Sequence, residues 1–161
     1  MIVSDTTPIS NFTQLELKDL LQQMFGMITI PETVALELDK GREFVENWRV
    51  TYGNHIHVVS VKQDPLTDQL LINLHPGEAE ALTLAIRQKA QILLCDDMDA
   101  RRAAIYHGVK VTGTLGILVK AKSAGLLASI TPYLDRLRDE IHFWFTDELY
   151  RQMQYLAGDH K

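Results

Sequence analysis

The sequence predicts an α/β fold: a central, mostly parallel sheet between helices in three α/β/α layers, followed by a C-terminal helical extension. Three observations carry this. Short apolar runs of strand length alternate with longer stretches whose apolar residues recur at helical spacing, the pattern of successive βα units. Gly or Pro stands at many of the changeovers, among them Pro31, Gly41, Pro76-Gly77, Gly108 and Gly125. Aspartates stand where two apolar runs end, Asp5 close behind Ile2-Val3 and Asp96-Asp97 directly after Ile92-Leu93-Leu94-Cys95.

Taken in order, the first strand runs through Val3. Residues Phe12 to Phe25 carry Leu15, Leu20, Leu21 and Met24 at helical spacing. Met27 to Ile30 reads as a strand ended by Pro31, and Val34 to Lys40 as a short helix stopped by Gly41. A helix over Glu43 to Val50 leads to the Gly53-Asn54 turn and to a β-branched strand from His55 to Val61. Asp64-Pro65 opens a helix through Leu74, and Pro76-Gly77 separates it from a strong helix over Glu78 to Ala90. The strand Ile92 to Cys95, a helix over Met98 to His107, the strand Val109 to Thr112 and a helix over Leu115 to Ala124 follow. Two tail helices are expected, over Pro132 to His142 and Thr146 to Ala157.

Size and composition narrow the classes. With 161 residues the expectation is one domain over 1–161, a core of about 1–127 and an extension of about 130–161. No apolar stretch approaches the roughly 18 to 20 residues of a membrane span. The N-terminus enters a strand without a basic segment, which argues against a signal peptide. The single cysteine, Cys95, lies in an apolar run, as expected of a buried thiol in a reducing cytoplasm. Its acidic neighbours make it a poor nucleophile. A net charge of −5 argues against a generic nucleic-acid binder, although acids gathered on a metal account for part of it.

Acids at the carboxyl ends of strands can converge, because ligands in open α/β sheets bind there. Clustered carboxylates repel one another, and a hard divalent cation with oxygen ligands relieves that repulsion. The alternative for each is a helix cap. At about 100° per residue, Glu78 shares a helix face with Ala81, Leu82 and Ala85, while Glu80 falls opposite with Arg87. Glu78 is therefore the expected ligand and Glu80 a solvated acid. Glu37 flanks the Val34–Leu38 stripe and by itself reads as a surface acid, with Glu32 and Asp39 pointing away.

Three stretches carry a resemblance: Ser-Asp-Thr-Thr-Pro-Ile-Ser-Asn at 4–11, Pro-Gly-Glu-Ala-Glu-Ala-Leu at 76–82, and the block from Leu94 to Leu118 with its Val-Thr-Gly-Thr-Leu-Gly-Ile-Leu close. The chain resembles PIN-domain proteins of the compact prokaryotic kind grouped with VapC-type toxins, over nearly all of residues 1–127. The resemblance implies a ribonuclease dependent on Mg²⁺ or Mn²⁺, with acids at the carboxyl edge of a parallel sheet. Position by position it implies Asp5, Glu37 after Pro31-Glu32-Thr33-Val34, Glu78 where an aspartate is usual, and Asp97 in a Thr-x-Asp pattern that has Cys95 in place of threonine. Asp5, Glu78, Asp97 and Asp96 are the implied metal ligands, and the choice between Asp96 and Asp97 stays open. Thr7, Asn11 and Asp99 are supporting candidates, although Thr7 and Asn11 suit helix capping equally well.

Arg101, Arg102 and Lys110 are candidates for contact with the RNA backbone, or else part of a solvated face. His55 and His57 alternate on a strand and are expected to be exposed. No Ser-His-Asp, HExxH or CxxC pattern competes. Two other readings remain: a degenerate PIN fold that binds RNA or protein without catalysis, and a phosphatase-like enzyme, against which Thr7 stands where a second aspartate is wanted. The expected partners are RNA, a small antitoxin and a second copy of the chain. The apolar run Ile141 to Phe145 is either an interface or core.

Overall fold

The direction each strand residue faces decides the architecture. In the computed structural model, which describes residues 1–41 and 45–159, β1 (Ile2–Ser4) turns Ile2 to one apolar core and Val3 to another. β4 (Ile92–Leu94) does likewise, with Leu93 beside Val3 and Leu94 on the other side. Successive strand side chains point to opposite faces, so runs apolar at every position need both faces covered. With β2 (Ile28–Pro31), β3 (Ile56–Val59) and β5 (Val111–Thr112) they form a five-stranded sheet in the order β3-β2-β1-β4-β5. Every neighbouring pair is parallel. The three-layer α/β/α fold expected from the sequence is the fold observed.

The chain builds outward from β1 through β2 to β3, then returns to lay β4 and β5 on the other side. The reversal falls between β1 and β4. Their register sets Ser4 against Leu94, so both strands end side by side at the crevice where such sheets bind ligands.

The larger core is lined by α1 (Thr6–Gln14), α2 (Lys18–Phe25), α3 (Glu32–Asp39), α4 (Trp48–Tyr52), and, late in the chain, α8 (Thr114–Ser123) and α9 (Thr131–Asp139). α6 (Pro76–Arg87) and α7 (Met98–Tyr106) pack on the opposite face around Val3, Leu93 and Cys95, with α5 (Pro65–Leu70) beside α6. α10 (Asp147–Ala157) lies against α8.

Several boundaries differ from the sequence expectation. The helix over Phe12 to Phe25 is two helices, because α1 starts at Thr6 and the chain breaks at Glu16, whose φ of +60° is left-handed. That break lets Leu15, Leu20 and Leu21 all reach the core. The strand from His55 to Val61 shortens to β3, since Gly53–His55 forms a 3₁₀ turn. The helix from Asp64 stops at Leu70, and α6 begins at Pro76 and ends before Lys89, another left-handed residue. Of the expected Glu43 to Val50 helix, residues 42–44 lie outside the described residues and only Trp48 onward is helical. The helix from Pro132 ends at Asp139, and His142 has a φ of +59°. Beyond it Phe145 is buried and Ile141 and Phe143 pack on the larger core, which leaves Trp144, with His142, facing out. Among the described residues, no helix is long and apolar enough to cross a membrane.

Candidate active site

Asp5 is the innermost acid. It extends β1 through its backbone N–H, which donates to the Leu94 carbonyl at 2.9 Å. Its side chain caps α1, accepting from the Thr6 N–H at 2.6 Å. Its other oxygen faces the Cys95 thiol at 3.8 Å. The residue is only 3% exposed. Burial pushes its carboxyl up to about 7, the Thr6 N–H opposes this, and the charges of Glu78, Glu37 and Asp96 add to the rise.

Glu37 projects from α3 toward that acid and is held from both sides. Thr6 donates its hydroxyl to one carboxylate oxygen, and the Gly77 N–H at the start of α6 donates to the other at 3.2 Å. A Cβ on Gly77 would stand 2.5 Å from Glu37 Oε2, so glycine is what lets α6 approach α3 so closely. Glu32 and Asp39 are exposed, as expected.

Glu78 lies in the first turn of α6, where its carboxylate accepts from the His75 N–H at 3.0 Å. Burial raises its carboxyl above the ordinary range; the His75 N–H pulls the other way, and Asp97 and Glu37 add to the rise. Glu80 proves half-buried as well, contrary to the solvated position expected, because α6 is covered almost all round. Depth therefore does not separate the two. Proximity does: Glu78 is among the charges acting on Asp5.

Asp96 and Asp97 part company at the end of β4. β5 pairs with β4 so that Leu94 faces Thr112, which brings Gly113-Thr114 beside Asp96. Asp96 accepts from the Thr114 N–H at 2.7 Å and from its hydroxyl at 2.6 Å. The buried Asn11 side chain in turn donates to that hydroxyl oxygen at 3.0 Å, so Asn11 reaches the acids through Thr114. Burial raises the Asp96 carboxyl, and Thr114 and the Arg101 charge moderate it. Asp97 caps α7, accepting from the Ala100 N–H at 2.9 Å, and faces Glu78.

The remaining candidates lie further out. Thr7 is half-buried in the first turn of α1. Asp99 is on the exposed side of α7, ion-paired with Arg102 at 3.3 Å. Arg101 is half-buried beside Asp96, whereas Lys110, His55 and His57 are exposed. Thr6, Gly77 and Thr114 were not among the sequence candidates, although Pro76-Gly77-Glu78 and Gly113-Thr114 flank acids or strand ends where donors are in demand. The Cys95 thiol, its proton held by burial and by Asp5, remains a donor.

Hard oxygen donors dominate this group, and a buried carboxylate beside three others is the environment that a divalent cation neutralises. The residues fit such an ion in chemistry. Each carboxylate is held by N–H, O–H or S–H donors, and among the described residues no three His, Cys, Asp or Glu side chains stand close enough to hold an ion as placed.

A family model described as a PIN domain matches residues 1–159, including the C-terminal helices that the sequence resemblance left outside the common core. No curated protein and no solved structure matches the chain with significance. PIN domains are generally nucleases that use divalent metals. With the all-parallel sheet, the acids at its carboxyl edge and a match over almost its whole length, the chain belongs to the PIN-domain family, a fold of nuclease type.

Proposed function

We propose that the protein is a Mg²⁺- or Mn²⁺-dependent ribonuclease that hydrolyses RNA phosphodiester bonds, acting as the toxin of a type II toxin–antitoxin pair. The observation that carries this reading is the grouping of Glu37, Glu78 and Asp96 around the buried Asp5, at the point where the strand order reverses. Asp5, Glu78, Asp96 and Asp97 would hold the metal. A bound ion of this kind supplies a low-pKa water and neutralises charge on the phosphate. The chain does the positioning. Thr6 and Gly77 orient Glu37, the His75 N–H orients Glu78, and Thr114 orients Asp96. Arg101, beside Asp96, is placed to attract a phosphate oxygen.

The toxin role rests on the VapC-type resemblance. A net charge of −5 suits a basic antitoxin segment laid across the acids in a cytoplasmic complex, and a homodimer belongs to the same proposal. Light scattering tests the homodimer, and a monomer at micromolar concentration removes it. Co-purification with a natively expressed neighbour tests the antitoxin.

The central test is Asp5→Asn. The amide keeps the shape and the acceptor for the Thr6 N–H, so the fold should persist. Mn²⁺ binding by calorimetry and metal-dependent RNA cleavage should both be lost, while Glu80→Gln should leave both intact. Undiminished cleavage in Asp5→Asn overturns the assignment. A second reading, a non-catalytic PIN module that binds RNA or protein, is favoured by the spacing of the acids, no three of which are at ligating distance among the described residues. Failure of the wild-type protein to bind Mn²⁺ would select it.

A further inference from the structure

Next to the acids, and sharing Asp96 and Arg101 with them, lies a second feature whose aromatic part their chemistry does not use. A cavity of about 350 Å³ opens between α7, the start of α8 and the segment leading into α10. Asp96 and Arg101 form its inner end, and Met98, Phe143, Trp144 and Met153 form much of the rest. The segment 143–145 is the reason for its shape. Phe143 packs on the larger core and Phe145 is buried, while the residue between them faces outward. Trp144 is accordingly 82% exposed, and Met98 across the cavity is 59% exposed. An indole left in water between two anchored phenylalanines costs hydrophobic energy and contributes nothing to the core. Arg101 adds the second half of the pattern. Among the described residues its guanidinium makes no side-chain hydrogen bond or ion pair at contact distance, only the longer-range attraction to Asp96.

We propose that this cavity is a nucleobase subsite, in which one unpaired base of a single-stranded RNA stacks on Trp144 while Arg101 takes the adjoining phosphate toward Asp96. An aromatic face and a cation, side by side and continuous with a hydrolytic site, match the two parts of one nucleotide. The volume is at the low end for a small-molecule site, of a size for one base rather than a peptide helix. A duplex, whose bases are already stacked, gains nothing from the indole. The subsite thus selects single strands and places a phosphodiester against the acids.

The ligand class rests on the ribonuclease reading, so the test measures binding and not cleavage. Oligouridine, an abasic oligoribonucleotide of equal length and inorganic polyphosphate are titrated into the protein in EDTA, followed by tryptophan fluorescence and by anisotropy of a labelled strand. Trp48 is 2% exposed and supplies a constant background. Oligouridine should quench Trp144 and bind more tightly than the abasic strand or polyphosphate. Trp144→Ala should weaken oligouridine binding roughly ten-fold or more and erase its advantage over the abasic strand, and Trp144→Phe should retain most of it. Trp144 lies outside the core, so both variants should fold. Equal affinity for oligouridine and the abasic strand overturns the proposal, as does an unchanged affinity in Trp144→Ala. If Trp144→Ala instead lowers the mass seen by light scattering while oligouridine binding is unaltered, the surface is a protein interface and the proposal is wrong. Loss of the Asp5-dependent cleavage claim would leave these binding results as they are, so the two failures are distinguishable.

Discussion

The Cys95 thiol donates to Asp5 Oδ2 at 3.8 Å, linking the residues that immediately follow two neighbouring parallel strands. The Ser4–Leu94 register makes the contact unavoidable, since the next residue on each strand continues the pairing. The resemblance places a threonine hydroxyl here, where this chain has the Cys95 thiol. The acid is supported, by a weaker donor.

Replacing that donor should shift Asp5 in a predictable direction. Cys95→Val leaves a buried carboxylate oxygen without a partner and should raise the Asp5 titration midpoint further, whereas Cys95→Thr should lower it. Carboxyl-resolved NMR titration of the metal-free protein measures both. Identical midpoints in the two variants would mean that the thiol contact has no electrostatic weight.

Asp5 should also cost stability at neutral pH in the metal-free protein. Burial lifts its carboxyl from 3.8 to about 7, so between those values the folded state holds a proton that the unfolded state has released. Its contribution is most favourable below about pH 4, declines as pH rises through 7, and is level above. Asp5→Asn removes the decline, so its stability advantage over wild type should grow across that interval by an amount on the order of 4 kcal/mol at most. Urea unfolding of the two proteins at a series of pH values provides the comparison, and a constant difference would contradict it.

Two glycines should prove to be functional spacers. A methyl at Gly77 meets the Glu37 carboxylate at 2.5 and 2.6 Å, and one at Gly113 meets Asp96 Oδ1 at 2.5 Å and the Cys95 carbonyl at 3.1 Å. Gly77→Ala presses only on the end of a flexible side chain and gains helix propensity, so Mn²⁺ affinity should drop while the melting temperature barely moves. Gly113→Ala also presses on backbone and should lose about 1–3 kcal/mol as well. Calorimetry beside thermal unfolding separates these outcomes.

The Asp159 carboxylate ties the end of α10 to the start of α9. Asp159 accepts from the Ile130 and Thr131 N–H groups at 2.6 and 2.9 Å and from Ser129 at 2.7 Å, and pairs with Lys122. It caps α9 from a distant part of the chain, because Ile130 has no side chain able to do so. Burial alone would raise its carboxyl, but Lys122 and the other donors hold it well below the usual carboxylate range. The stability it adds is present above about pH 4 and lost as pH falls through its folded value. Asp159→Ala should cost about 1.5–3 kcal/mol at pH 7, and less in acid. An unchanged denaturation midpoint at pH 7 would show that the tail is only loosely attached.

The order of strands and helices, the parallel sheet and the position of aspartates at strand ends are legible in the residues themselves, because periodicity and turn chemistry act over a few neighbours. Glu16 hid the break between α1 and α2 because a left-handed non-glycine has no local signature. Helical angle likewise could not rank Glu78 against Glu80, since α6 is enclosed by elements from elsewhere in the chain. Only the tertiary structure decided the strand order, and with it which residues stand beside the acids: Thr6 and Gly77 on Glu37, Cys95 on Asp5, Thr114 on Asp96. Those contacts join residues 18 to 90 positions apart, brought together by the register of parallel strands and the packing of helices across them. Which strands become neighbours is set by the paths of the crossover connections and by burial of whole faces, and both are properties of the assembled sheet.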